Sequence, residues 1–303
     1  MRLGNTPQAF PYQGSKRKLA ALILDCLPPA THRLVEPFAG SAAISVAAAW
    51  TGRARRFWLN DAHEALVKLW GRIIHDPLGL SADYERCWTQ QQGNEHAYYN
   101  SVRREFNATH QPEHLLFLLA RCVKAAIRYN RNGEFNNSPD HRRQGMHPDT
   151  MRKNLLLVSQ TLGPDTLTTS MDYTAVLRET VETDVVYMDP PYQGVCQDRD
   201  SRYVKSVAYE SFVAELEKLN HRHIPYIVSY DGRTGEKVYG KKLPRRLGLS
   251  HTELLVGKST QATLLGRSQE TYESLYLSPA LRDKLGRLPA NFSPRRAETM
   301  LFA

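Results

Sequence analysis

The sequence predicts an α/β protein built on a mostly parallel sheet, with a helical segment inserted into it. Three observations predict this. Two short apolar runs near the start, "HRLVEPF" and "RRFWLND", are each followed by a helix-favouring stretch, the alternation that builds parallel sheets. Residues 71–154 then favour helix with no convincing strand among them. Strand signals return in "DTLTTSM", "DVVYMD", "IPYIVSYDG", "HTELLV" and "ESLYLS".

Taken in order, "LAALILDCL" is a first helix and "HRLVEPF" a first strand. The Ala-rich "SAAISVAAAW" follows as a helix, with Ser41 placed as its N-cap. After the strand "RRFWLND", the stretch "AHEALVKLWGRII" has the spacing of an amphipathic helix. The insertion reads as three helices, "SADYERCWTQQQ", "NEHAYYNSVRREFNA" and "EHLLFLLARCVKAAIRY". The polar, turn-rich loop "NRNGEFNNSPDHRRQGMHPD" closes it. "ESLYLS" is expected as an antiparallel edge strand. The division is therefore 1–70 with 155–280 as one unit, 71–154 as the helical unit, and 281–303 as a basic, loosely patterned tail.

At 303 residues the chain can bury a large core. No apolar run approaches the roughly 20 residues that span a bilayer, and the start lacks the apolar h-region of a signal peptide. The cysteines Cys26, Cys87, Cys122 and Cys196 are widely spaced, which argues against a disulfide framework or a zinc site. These features fit a cytoplasmic protein without a bound metal. The formal charge of +9 favours a polyanionic partner. It is concentrated: residues 121–154 hold eight Lys/Arg against three Asp/Glu, and residues 231–249 hold six against two.

Chemistry concentrates where strands end. "VEPFAGSAAI" carries an acid, then a small-residue turn that opens a helix, as either a ligand-binding turn or plain helix–strand packing. "FWLND" places Asn60-Asp61 about 20 residues after that turn, where an acid can accept both hydroxyls of a ribose or can cap the following helix. "YQGSKRKL" is a glycine turn beside three basic residues. Asp189-Pro190-Pro191-Tyr192 ends an apolar strand with an acid, two residues that lack an N–H, and an aromatic ring. The carboxylate and a neighbouring carbonyl can together accept both hydrogens of one amino group, while the ring stacks a planar heterocycle. That combination points to methylation of an amino group.

In this company the chain resembles the Dam-like DNA adenine-N6 methyltransferases. "PYQGSKRKL", "EPFAGSAAI", "LNDAHEAL" and "DPPY" match in order, with "RYNRNGEFNNSP" similar to a segment of that family's recognition region and "SMDY" at the place of its adenine-binding acid. The resemblance spans about residues 8–280. It implies a Rossmann-like methyltransferase sheet, S-adenosylmethionine as cofactor, and double-stranded DNA as partner, with a helical target-recognition insertion. It further implies that Tyr12, Gly14 and Lys16 lie by the methionine end of the cofactor. Glu36, Phe38, Ala39 and Gly40 would form its turn, Asp61 would bind its ribose, and Asp172 with Tyr173 would meet its adenine. Asp189, Pro190, Pro191 and Tyr192 would hold the target base, with Asp189 also bordering the cofactor. Ala42 departs from the family, which often has a second glycine there. The basic loop then supplies Arg128, Asn130, Arg131, Asn132, Asn136 and Arg142 as candidate DNA contacts, although Asn136 or Asn137 could equally serve the turn. The biological setting this implies is restriction–modification, with a cognate endonuclease as partner, or epigenetic marking at the nucleoid. Rival readings are a methyltransferase acting on RNA or on a protein glutamine, and a DNA-binding module without activity.

Overall fold

The computed structural model describes residues 3–191, 207–258 and 270–292. Its strands are β1 (Thr31–Glu36), β2 (Ala54–Asn60), β3 (Leu167–Thr169), β4 (Asp184–Met188), β5 (Tyr226–Thr234), β6 (Lys237–Tyr239), β7 (Ser250–Lys258) and β8 (Glu270–Leu277). They form one sheet in the order β3-β2-β1-β4-β5-β8-β7, with β6 hydrogen-bonded to β5 outside that path. The pairings β3–β2, β2–β1, β1–β4 and β4–β5 are parallel, and β5–β8, β8–β7 and β5–β6 are antiparallel. The α/β class and mostly parallel sheet are as the sequence predicts. The edge differs: "ESLYLS" lies in β8, which is inserted between β5 and β7, so β7 forms that margin. Both strands have one apolar face, and nothing local to either dictates which takes the inner place.

The helices are α1 (Ala20–Leu24), α2 (Ala43–Trp50), α3 (Glu64–His75), α4 (Pro77–Gln90), α5 (Glu95–Thr109), α6 (Pro112–Arg121), α7 (Pro148–Leu162), α8 (Tyr173–Glu179), α9 (Tyr209–His221) and α10 (Pro279–Leu285). β4 is buried along its whole length, as a central strand covered on both faces must be. On one face Val176, Leu177, Phe212, Val213 and Leu216 of α8 and α9 pack against Val35, Val186 and Val228. On the other, α1 and α2 contribute Ile23, Leu24, Ile44 and Ala47 to a core that runs without a break through Leu66, Leu69, Trp70 and Ile73 of α3 into Phe106, Leu115, Leu119, Leu155 and Val158 of the helical region. The sheet and the helical region therefore share one core. The expected divisions at 70/71 and 154/155 fall inside α3 and α7, and the expected tail begins inside α10, which Ser278 caps by accepting from Leu281 N at 3.2 Å.

Two local expectations are corrected, and one open alternative is decided. Ser41 does not cap α2. The N-cap is Ala42, in the left-handed region at φ 44°, a conformation that costs a non-glycine residue about 1–2 kcal/mol. The helix expected to reach Tyr129 ends at Arg121, because Lys124 and Ala125 turn left-handed at φ 61° and 49° and the Asn137 amide donates to the Val123 and Ala126 carbonyls at 3.0 and 2.9 Å. Finally, α3 is capped by His63, whose Nδ1 accepts from Leu66 N at 2.9 Å, so Asn60 and Asp61 are left for other work.

Candidate active site

The sheet order reverses between β1 and β4, the topological switch point where open α/β sheets bind ligands beyond the carboxyl ends of their strands. A cavity of about 460 Å³ opens there. Its lining takes in Tyr12, Gly14, Lys16, Glu36, Phe38, Ala39, Gly40, Asp61, Asp172, Tyr173, Asp189, Pro190 and Pro191, so the structure brings the sequence-derived cofactor residues and the first three residues of the Asp-Pro-Pro-Tyr string together. Tyr192 lies outside the described residues.

Each side chain is set by its element. Glu36 ends β1 and is 2% exposed; its Oε1 accepts from Ser45 N in the first turn of α2 at 2.7 Å. Burial pushes its carboxyl up to about 7, against the Ser45 donor, and the nearby Asp189 charge pushes the same way as burial. The turn after β1 is tight: Gly40 sits at φ 48°, and a Cβ there would lie 3.2 Å from the Tyr12 ring, so glycine alone suits it. Trp70 Nε1 donates to the Gly40 carbonyl at 2.8 Å and fixes the turn from α3.

Asp61 follows β2. Its carboxylate accepts from Gly40 N and from His63 N, each at 2.9 Å, joining the turns that follow β1 and β2. Burial raises its carboxyl above the ordinary range, while both amide donors favour the charged form. Beside it, burial holds His63 below the usual imidazole value. With Nδ1 accepting from Leu66 N, the ring proton must be on Nε2, which donates to the Tyr129 hydroxyl. That bond ties the Asp61 side of the cavity to the polar loop. Sequence reasoning missed the role of Asn60, which clamps the strand ends: its Nδ2 donates to the Pro37 and Met171 carbonyls at 3.0 Å, and its Oδ1 accepts from Thr169 Oγ1 and Met171 N at 2.8 Å.

Asp172 is exposed at the rim and caps α8, accepting from Thr174 N and Oγ1 at 3.0 and 2.7 Å. Tyr173, next in sequence, packs its ring against Phe38 with centroids 5.2 Å apart, an apolar wall for a flat ligand. Across the cavity, Lys16 Nζ lies 2.9 Å from Asp189 Oδ1 and 3.4 Å from Glu273 Oε2. Sequence reasoning did not reach Glu273. An acid in "TYESLYL", where the alternation that buries Leu275 and Leu277 calls for an apolar residue, was its signal.

The loop after α6 is a stapled surface feature. Asn107 of α5 pairs with both backbone groups of Phe135, accepting from its N–H at 2.7 Å and donating to its carbonyl at 3.2 Å. Asn130 spends its side chain on the turn, accepting from Asn132 N and Glu134 N and donating to Glu134 Oε2. Asn137 is buried in the clasp described above, whereas Asn136 is exposed. Arg131, Asn132 and Arg142 also stand on the surface, away from the cavity lining, and Arg128 is half-buried. Among the described residues no cluster of His, Cys, Asp or Glu could hold a metal ion, and no helix is long and apolar enough to cross a membrane.

Comparison with known proteins places this geometry. The profile of the D12 class N6 adenine-specific DNA methyltransferases matches residues 12–257. The chain belongs to this family. It is 28% identical over 194 residues to the DNA N-6-adenine-methyltransferase of Escherichia phage P1, covering 61% of this chain and 24% of that protein. It is 29% identical over 172 residues to the Retron Ec67 DNA adenine methylase of Escherichia coli, covering 55% and 57%. The DNA adenine methylase of Haemophilus influenzae is 24% identical over 191 residues, covering 62% and 64%. Each match thus takes in less than two thirds of the relative's own length. The matched span begins at Tyr12 and takes in β1, β4 and the helical region alike.

Proposed function

We propose that this chain transfers a methyl group from S-adenosylmethionine to the exocyclic amine of an adenine flipped out of double-stranded DNA. The observation that carries this reading is the meeting of Asp189-Pro190-Pro191, at the end of β4, with Asp61, Gly40 and the Phe38–Tyr173 wall around one cavity. The residues present fit the cofactor. Asp61 offers a carboxylate to ribose hydroxyls, Phe38 and Tyr173 offer ring faces to its adenine, and Glu36, Asp189 and Glu273 surround the cavity with acidic groups suited to a sulfonium. When bound, the cofactor supplies an electrophilic methyl group.

The protein's part is to make a poor nucleophile attack. The lone pair of adenine's amino nitrogen is delocalised into the ring. Asp189 and the Pro190 carbonyl, by accepting both amino hydrogens, favour the pyramidal nitrogen that exists only on the way to product, which is differential stabilisation of the transition state. Proline at 190 and 191 fixes the turn that aims these acceptors, and alignment of the two reactants supplies a further part of the rate. The methylated amino group is strongly acidic and loses its proton without a dedicated base.

On the same reading, the helical region 71–154 is the DNA-recognition unit, and its loop meets the duplex. Arg131, Asn132, Asn136 and Arg142 are exposed and suit phosphate or base-edge contacts, and Arg128 stands at the base of the loop. Asn130 shapes the loop that presents them. Extrusion of the base costs a few kcal/mol, offset by the interactions it makes in the pocket. The test is methyl incorporation from labelled S-adenosylmethionine into DNA, RNA and protein offered side by side. Label should enter DNA as N6-methyladenine and disappear with Asp189→Ala, whose cofactor affinity by calorimetry should largely survive. Full transfer by Asp189→Ala would refute the assignment.

A further inference from the structure

Lys16 is shared. It enters the cavity from the turn before α1, with its side chain 10% exposed, and its ammonium lies between Asp189 at the end of β4 and Glu273 near the start of β8. The second interaction lies beside a strand irregularity. The β5–β8 register shifts between Tyr230 and Gly232, with Asp231 standing out of the ladder at φ 39°. Opposite Glu273 stands Gly232, where a Cβ would come within 2.6 Å of the Tyr272 carbonyl. The bulge thus needs glycine at 232, and beside it Glu273, on the face of Leu275 and Leu277, reaches Lys16. Ser229 Oγ of β5 approaches the same Oε2 at a long 3.5 Å.

We infer that Glu273 is a positioning residue: by competing for the Lys16 ammonium it tempers the direct pair that Lys16 makes with Asp189, so that Asp189 remains a good acceptor for the amino group of the target base. This rests on the proposed function. A carboxylate whose charge is engaged by an ammonium is a weaker acceptor for a neutral amine, and here the ammonium bonds Asp189 directly at 2.9 Å while Glu273 pulls on it from 3.4 Å. Burial raises the Glu273 carboxyl, and Asp189 raises it further, while Lys16 opposes both, so the three groups form one electrostatic unit with Glu36 close to Asp189. Removing the Glu273 charge takes away one of the anions that pull on the Lys16 ammonium and tightens its hold on Asp189.

The experiment uses the full-length chain with Glu273→Gln, Lys16→Met and the double variant, melting curves confirming that each folds. Steady-state methylation of unmethylated genomic DNA gives kcat and KM for the cofactor, and calorimetry gives the affinity for S-adenosylhomocysteine. Glu273→Gln should lower kcat by about tenfold to a hundredfold, the range carried by one charge-assisted hydrogen bond, with KM for the cofactor and the calorimetric affinity within about threefold of the parent. In the Lys16→Met background the same change should have little further effect on kcat, since its route of action is gone. A kcat unchanged in Glu273→Gln, an equal drop in both backgrounds, or a drop confined to cofactor affinity would overturn the inference while the parent enzyme still methylates DNA. No DNA methylation by the parent protein would overturn the proposed function itself, and this role with it.

Discussion

Glu36 offers the sharpest test of the site's electrostatics. Its carboxyl is buried and raised from the ordinary 4.5 to about 7, so between these values the folded protein holds a proton that the unfolded chain releases. The unfolded state binds fewer protons, and stability must fall as pH rises through that window; the contribution is complete below 4.5 and lost above 7. Glu36→Gln removes the ionisation and keeps the oxygen that accepts from Ser45 N. At about 1.36 kcal/mol per pH unit, the variant should gain about 2–3 kcal/mol on the parent between about pH 5 and pH 8. Urea unfolding of both proteins at a series of pH values measures this directly, because every other titrating group is shared and drops out of the difference. A difference independent of pH would refute the reasoning and would mean that the carboxylate is already charged and solvated at neutral pH. On the proposed function, S-adenosylmethionine brings a positive centre near Glu36 and should draw the proton off. Binding measured between about pH 6 and 7, in two buffers of different ionisation enthalpy, should then release a proton that the variant does not.

Two further outcomes follow from the hydrogen bonds and exposures already described. Asn60→Ala deprives Met171 N and two carbonyls of partners in a buried corner, and should cost about 3 kcal/mol in denaturant unfolding, well beyond an ordinary surface change. Arg131→Ala and Arg142→Ala, being exposed and remote from the cavity, should leave cofactor affinity unchanged and reduce the slope of log K for DNA against log salt by about 1 for each phosphate left unneutralised.

Much of the fold was legible because its signals are local. The apolar run 185–188 followed by an acid and two prolines is a buried strand ending at a turn wherever it occurs, and the spacing from the Gly40 turn to Asp61 is that of one helix and one strand. What escaped depends on partners far along the chain. Glu273 meets Lys16 from the opposite end of the sequence, beside a bulge that no pattern in β8 announces. The order of β7 and β8 is a choice between two similarly amphipathic strands. Helix α6 looks longer in sequence than it is because residues 123–129 have helical composition. The Asn137 amide, farther along the chain, supplies the carbonyl partners that let the backbone leave the helix. Ala42 departs from the glycine common in this family, and only the left-handed backbone shows why glycine is at home there.

The unbroken core beneath the sheet and the helices has a consequence for engineering. With Trp70, Phe106 and Leu115 packed in the same apolar body as Ile44 and Ala47, the helical region cannot be lifted out and replaced as a cassette without tearing the floor from under the Gly40 turn. The loop above it enters that core through Ile127 and Phe135 and is further held by side-chain bonds from His63, Tyr84, Gln91, Tyr99, Asn107 and Asn137, which leaves its exposed turn around Arg131 as the freer part. On the proposed function, a graft that keeps these anchors and exchanges the exposed turn carrying Arg131 and Asn132 is the retargeting this architecture permits, and sequence preference should diverge there.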